Sequence, residues 1–194
     1  MIDVGYDAFD DPYCYSGTGV LRNKAGLRDP DALEAFELEM TTLRAEEPLP
    51  DGRFGPAHYR SVHRHLFQDV YPWAGRYRTV RTAKAGNPFC FPEHIPAQME
   101  GLFAQLWAGP CFAEPKRSTF VAAAAEFLGE LNAIHPFREG NGRSQLAFMH
   151  LVGLRAGRPF DFARVERATF LPAMVASYDK NYGPLAAELE QLLA

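Results

Sequence analysis

His135-Pro136-Phe137-Arg138-Glu139-Gly140-Asn141-Gly142-Arg143 lies between two segments of helical apolar period and has the composition of a loop that holds a polyphosphate. Gly140 and Gly142 permit positive φ and close approach, so successive N–H groups can turn inward as an anion nest. The helix that opens at Asn141 directs its dipole and its unpaired first amides at the same place. Arg143, one turn in, can add a permanent charge with forked donors, and Asn141 a side-chain amide. A carboxylate beside a phosphate nest repels the ligand unless a divalent cation sits between them, which makes Glu139 a natural Mg2+ ligand completed by phosphate oxygens and water. His135, with an ordinary imidazole pKa near about 6.5, can be neutral and take the proton of an attacking hydroxyl.

Outward from this loop the pattern is helical. Upstream, Ser118 caps a segment carrying Phe120, Val121, Ala124, Phe127, Leu128 and Leu131, and Pro136 biases His135 away from helix and ends it. Downstream, Asn141 to Ala156 stops at Gly157 with Pro159 beyond, and its run of apolar residues leaves so little polar face that this helix is expected at the buried centre. Asp29-Pro30 supplies an N-cap and first-turn proline for a helix whose stripe is Leu33, Phe36, Met40 and Leu43. Further helices are predicted around Val62 and Leu66, around Met99 and Phe103, around Phe170 and Met174, and through Leu185 to Leu192. The period changes once: Arg76 to Thr82 is β-branched, and a Gly86-Asn87-Pro88 turn followed by Phe89-Cys90-Phe91 predicts a hairpin over about 80–91. The expected fold class is therefore mainly α, about seven helices with one short β-hairpin, in a single domain over 1–194 with residues 1–28 irregular.

The chain has 194 residues, 47% hydrophobic and 23% charged, which excludes bulk disorder. Apolar runs fall short of the roughly 18 needed to span a bilayer, and the acidic start MIDVGYDAFDD contradicts a signal peptide. The expected location is the cytoplasm, with no membrane partner. Cys14, Cys90 and Cys111 are odd in number and far apart, and read as reduced thiols. A net charge of -4 argues against direct nucleic acid binding, which rests on phosphate neutralisation.

The nine residues match the signature HxFx(D/E)GNGR, and the chain resembles the Fic family of bacterial toxin-antitoxin modules. GTGVLRNK near residue 17, HRHLFQDVYPWAGRYR from His63 and ELNAIHPFREGNGR extend the likeness over most of the chain. The resemblance implies transfer of AMP from ATP to a Tyr, Ser or Thr hydroxyl of a target protein, with type II topoisomerase subunits as the targets it suggests. It implies His135 as general base, Glu139 as the Mg2+ ligand, Gly140, Asn141 and Gly142 as the phosphate nest, Arg143 as a phosphate clamp and Phe137 as a core anchor. The hairpin, with Thr82, Ala83 and Lys84 as its docking residues, would be the flap that docks the target as an added strand. The longer signature ends in a second arginine, which in relatives helps hold the γ-phosphate; here that position is Leu146. Leu146 motivates one alternative, a catalytically weakened Fic domain acting as a binding partner; the family's range of transferred groups implies a second, an enzyme that moves a different phosphate-containing group. The inhibitory pattern [S/T]xxxE[G/N] is absent, since Thr42 to Glu47 reads TLRAEE. The implied restraint is a separate small antitoxin chain carrying that glutamate.

Other residues take plainer readings. His58, His63, His65, His94 and His150 lack partners at metal-ligand spacing and read as surface or packing residues. Tyr71 and Trp73 read as a core plug, and Glu34, Glu37 and Glu39 as a solvated helix face. Lys84 is balanced between solvated hairpin residue and substrate contact. Asn181 and Tyr182 lie near where relatives close the nucleotide pocket.

Overall fold

The computed structural model describes residues 11–84, 86–109 and 116–194. Cys111 and the first ten residues lie outside them. Seven helices are present among the described residues: α1 Pro30–Ala45, α2 Pro56–Phe67, α3 Ile95–Ala108, α4 Arg117–Ile134, α5 Asn141–Arg155, α6 Arg167–Tyr178 and α7 Gly183–Leu192. Two-residue strands, β1 Ala83–Lys84 and β2 Asn87–Pro88, pair antiparallel between α2 and α3. Asp29 caps α1 by accepting the Ala32 N–H at 2.9 Å, with Pro30 at the first helical position, as its sequence predicts.

The central helix is α4, not α5. It packs against α3, α5, α6 and α7, and Phe120, Val121, Ala124, Phe127, Leu128, Leu131 and Ile134 along its length are buried. In α5 the apolar residues are divided: Phe148, Met149 and Val152 are buried, Leu146, Ala147 and Leu151 are half-buried, and Leu154 is 52% exposed. Helix α5 packs on α2 and α4 at the side of the bundle, and that placement overrides its apolar composition. The predicted stripe of α1 holds at Leu33, Phe36 and Met40, which pack on the core, and fails at its last member. Leu33 is buried but Leu43 is 51% exposed, while Thr41 is only 4% exposed. The inward face carries Glu37 and Thr41, because both bind Arg143 of α5.

Arg76 to Thr82 forms no ladder. The Arg78 N–H donates to the Pro136 carbonyl at 2.9 Å and the Cys90 N–H to the Ala133 carbonyl at 3.2 Å, so both legs of the hairpin are sewn to the end of α4. The legs pair with each other near the tip, Ala83 opposite Pro88 and Lys84 opposite Asn87, and the Phe89 N–H donates to the Thr82 carbonyl at 3.0 Å just below. Asn87-Pro88 is thus strand, and the turn falls one step earlier, at Gly86 with φ 82°.

Candidate active site

Helix α4 ends on His135, whose backbone is left-handed at φ 48° and ψ 62°. For a side chain with a Cβ this conformation is disfavoured by about 1–2 kcal/mol and persists only where neighbours impose it. The ring is 6% exposed and lies parallel to Phe89 of the hairpin, 3.8 Å between centroids at 8°. Nδ1 faces the Asn132 carbonyl at 3.3 Å. A carbonyl only accepts, so Nδ1 carries the proton and Nε2 the lone pair. Burial pushes the imidazole pKa down to about 3, opposed by the Asn132 bond and aided by the charges of Arg78 and Lys84. The ring is therefore a neutral proton acceptor at neutral pH.

Immediately beyond, Gly140 has φ 80°, and a Cβ there would stand 2.3 Å from the Phe67 ring, so only glycine fits. It opens α5 with no side-chain cap. The amides of Asn141, Gly142 and Arg143 precede the first helical bond, which runs from Ser144 N–H to the Gly140 carbonyl at 3.1 Å. Gly142 departs from expectation: its φ is not positive, it is exposed, and a Cβ would meet nothing within 4 Å. It contributes open space rather than a special conformation. The Asn141 side chain also departs. It is 1% exposed, its Oδ1 accepts the Phe137 N–H at 2.9 Å, and its Nδ2 donates to the Phe137 carbonyl at 2.8 Å. That amide shapes the loop from inside, leaving only the Asn141 backbone N–H for an anion.

Glu139 turns its Oε1 onto the Gly140 N–H at 2.8 Å. Burial raises its carboxyl pKa, and the charge of Glu37 raises it further. Its own carbonyl faces Nε2 of His63 at 3.0 Å, while His63 Nδ1 accepts the Gly75 N–H at 2.9 Å. Both ring nitrogens of His63 are thereby committed, and the fully buried ring between Phe67 and Phe137 has its pKa pushed down to about 3. The packing reading of His63 holds, but the residue also fixes the Glu139 main chain.

Arg143 lies over Phe67 at 4.7 Å, donates to Thr41 Oγ1 at 3.1 Å and pairs with the Glu37 carboxylate. Glu37 also accepts the Tyr71 hydroxyl. It is not a solvated helix-face residue: its side chain is 12% exposed and bound to the clamp arginine. Tyr71 and Trp73 stack at 4.4 Å as the core plug. Leu146 falls in the second turn of α5, half-buried against the core. The other arginines do not stand in for a second clamp. Arg138 is buried in an ion pair with Asp11 at 2.5 Å, and Arg155 is in the last turn of α5, the end away from the loop. At the hairpin, Thr82 is buried, Ala83 half-buried and Lys84 exposed, so Lys84 and the strand backbone are what a docking segment would meet. Tyr182, at the N-cap of α7, donates to Glu130 near the C-terminal end of α4, five residues before His135.

Among the described residues no three of His, Cys, Asp and Glu cluster to hold a metal ion. Mg2+ typically binds through one or two carboxylates plus substrate phosphates. Glu139 fits that pattern, since a cation beside it would oppose the upward push that burial gives its carboxyl pKa.

Residues 53–152 match the Fic/DOC family. The chain belongs to the Fic/DOC family. It is 48% identical over 98% of its length to "Probable protein adenylyltransferase y4lH" of Sinorhizobium fredii, all of which is covered. It is 34% identical over 97% of its length to "Protein adenylyltransferase VbhT" of Bartonella schoenbuchensis, of which it spans 40%. BepC from Bartonella tribocorum, solved with bound AMPPNP, superposes with a TM-score of 0.83 at 28% identity, covering 94% of this chain and 96% of that one. The N-terminal Fic domain of a VirB-translocated Bep effector from Bartonella quintana, with bound ADP, gives 0.85 at 29% identity and 94% of both chains. The Fic fold, seven helices with one short hairpin, is the fold expected from the sequence. No helix among the described residues is long and apolar enough to cross a membrane.

Proposed function

We propose that this Fic protein is a protein adenylyltransferase that transfers AMP from ATP to a hydroxyl side chain of a target protein. The observation that carries the reading is one juxtaposition: open amides at the uncapped start of α5 lie a few residues from a buried, neutral imidazole covered by the hairpin. The names of y4lH and VbhT and the nucleotides bound to BepC and the Bartonella quintana domain support it. In this reading the amides of Asn141, Gly142 and Arg143 bind the polyphosphate, and Arg143 adds charge from the α1 side. Glu139 would hold Mg2+, which when bound screens the phosphates and stabilises charge on the leaving group. A target segment docks along the hairpin at Ala83 and Lys84. Its hydroxyl oxygen attacks the α-phosphorus, the proton passes to Nε2 of His135, and the bond to the β-phosphate breaks with its electron pair leaving on pyrophosphate. The Fic resemblance extends the proposal to a cytoplasmic toxin restrained by a small antitoxin chain, with type II topoisomerase subunits as targets.

The test is incubation of the purified protein with lysate and labelled ATP or other nucleotides, with Mg2+ or EDTA, read by intact mass of the modified protein. A Mg2+-dependent AMP adduct on a hydroxyl is expected. An adduct of another mass, or none, overturns the assignment.

Two substitutions probe the nest. Gly142→Ala is accepted by the fold, since the methyl enters open space and alanine gains up to about 1 kcal/mol in helix propensity. The methyl would be bonded to the same Cα as the nest's Gly142 N–H, so an unchanged or raised melting temperature with at least about tenfold weaker ATP binding is expected by calorimetry. Unchanged affinity would move the phosphates elsewhere. Leu146→Arg restores the missing cation, and a charge-assisted contact of about 1.5–3 kcal/mol corresponds to roughly 10- to 100-fold tighter ATP binding. Leu146 is half-buried, so a melt accompanies the titration. A folded variant with no gain favours the weakened-domain alternative or a ligand other than a triphosphate.

A further inference from the structure

Arg78 is one of the largest fully buried side chains, 2% exposed, and its hydrogen bonds converge on the motif and the hairpin together. Nε donates to the His135 carbonyl at 2.8 Å, Nη2 to the Ile134 carbonyl at 3.2 Å, and its backbone N–H to the Pro136 carbonyl at 2.9 Å. Three successive carbonyls of the bend that carries His135 are thus held by one residue. The same guanidinium reaches the hairpin, donating from Nη1 to the Val80 carbonyl at 2.7 Å and from Nη2 to the Cys90 carbonyl at 2.5 Å. Val80 and Cys90 stand on opposite legs of the hairpin, and between them Phe89 presents the ring that stacks on His135.

A left-handed conformation at a residue with a full side chain survives only where its surroundings fix it. The bonds of Arg78 do this on the carbonyl side of His135, and the His135 N–H to the Leu131 carbonyl at 3.1 Å does it on the other. A planar fork of five donors can serve several carbonyls at once, which a lysine ammonium on a flexible stem cannot reproduce. We propose that Arg78 is a positioning residue for transfer: it locks the bend bearing His135 and both legs of the hairpin into one rigid unit, so imidazole and docked hydroxyl are aligned before any ligand arrives. The inference rests on His135 being the general base.

The test uses Arg78→Lys and Arg78→Ala in the full chain, with melts, ATP titration, steady-state transfer and NMR titration of the His135 ring. Both variants are expected to fold and to bind ATP within about threefold of wild type, because the α5 amides do not touch Arg78. Transfer at saturating ATP should fall by about 100-fold, the cost of a misplacement near 1 Å, with the loss in kcat. Millimolar guanidinium should restore part of the rate in Arg78→Ala. In wild type the His135 resonances should not titrate between pH 5 and 8, and in the variants an inflection should enter that window. Unchanged kcat in a folded variant overturns the proposal, as does equal loss of ATP binding and transfer. Failure of both variants to fold assigns Arg78 to the fold alone and also overturns it. If wild type transfers no AMP, the functional reading has failed by itself. The ring titration then decides whether Arg78 sets the histidine.

Discussion

His135→Ala is expected to lower AMP transfer by about 10³, within the range by which a positioned general base accelerates a reaction, while ATP affinity changes by less than about threefold. The separation follows from where the ring lies. It caps α4 beneath Phe89, on the hairpin side of the loop, and the amides that would hold phosphate belong to α5 on the other side of Glu139. Single-turnover transfer and calorimetric ATP binding, measured on the same preparation, check it. Equal transfer by wild type and variant would remove His135 from the chemistry, and parallel loss of binding would make it part of the nucleotide pocket.

The second large effect is on stability. His63 and His135 are both neutral in the folded protein, with pKa values pushed down to about 3, whereas in the unfolded chain they titrate near about 6.5. Below about pH 6.5 the unfolded state binds protons that the folded state refuses, so stability falls as pH falls through this window. Each ring contributes a loss of about 2 kcal/mol between pH 7.5 and 5.0, and the pair about 4 kcal/mol, a large share of a typical 5–15 kcal/mol total. Glu139 acts in the opposite sense, because its raised pKa means that acid relieves its buried charge. The net expectation is a clear drop in the urea midpoint at pH 5.0. Equal midpoints at the two pH values would show that these rings are solvated in the folded state.

What the sequence discloses of this protein is mostly local. The capped start of α1, the apolar stripes of α3, α6 and α7, the proline stop after α4 and the glycine at the head of α5 are all set by neighbours a few residues apart. The contacts that finish the site join residues far apart in sequence: Arg143 with Glu37, 106 positions away, His63 with Glu139, 76 away, and Arg78 with His135, 57 away. Glu37 reads as a solvated acid because nothing beside it announces an arginine partner. Asn141 is legible as important yet not as inward-facing, since one amide can serve a phosphate or a main chain equally well. The burial of Thr41 on a helix with an exposed Leu43 is the trace left by that hidden partner.

The paired bonds of Asn141 to Phe137 have a chemical consequence as well as a structural one. Asn141-Gly142 is the dipeptide in which the following amide nitrogen, unshielded by a side chain, most readily attacks the asparagine carbonyl carbon to form a succinimide. In the native protein that attack is blocked: the chain is already helical at Asn141, and both polar atoms of its side chain are engaged. Once unfolded, the dipeptide ages. An aspartate produced there could still accept the Phe137 N–H but would set a carboxylate oxygen against the Phe137 carbonyl, where the amide had donated. Time spent unfolded would therefore be recorded covalently in the motif, as molecules that refold poorly around Phe137 and carry one extra negative charge.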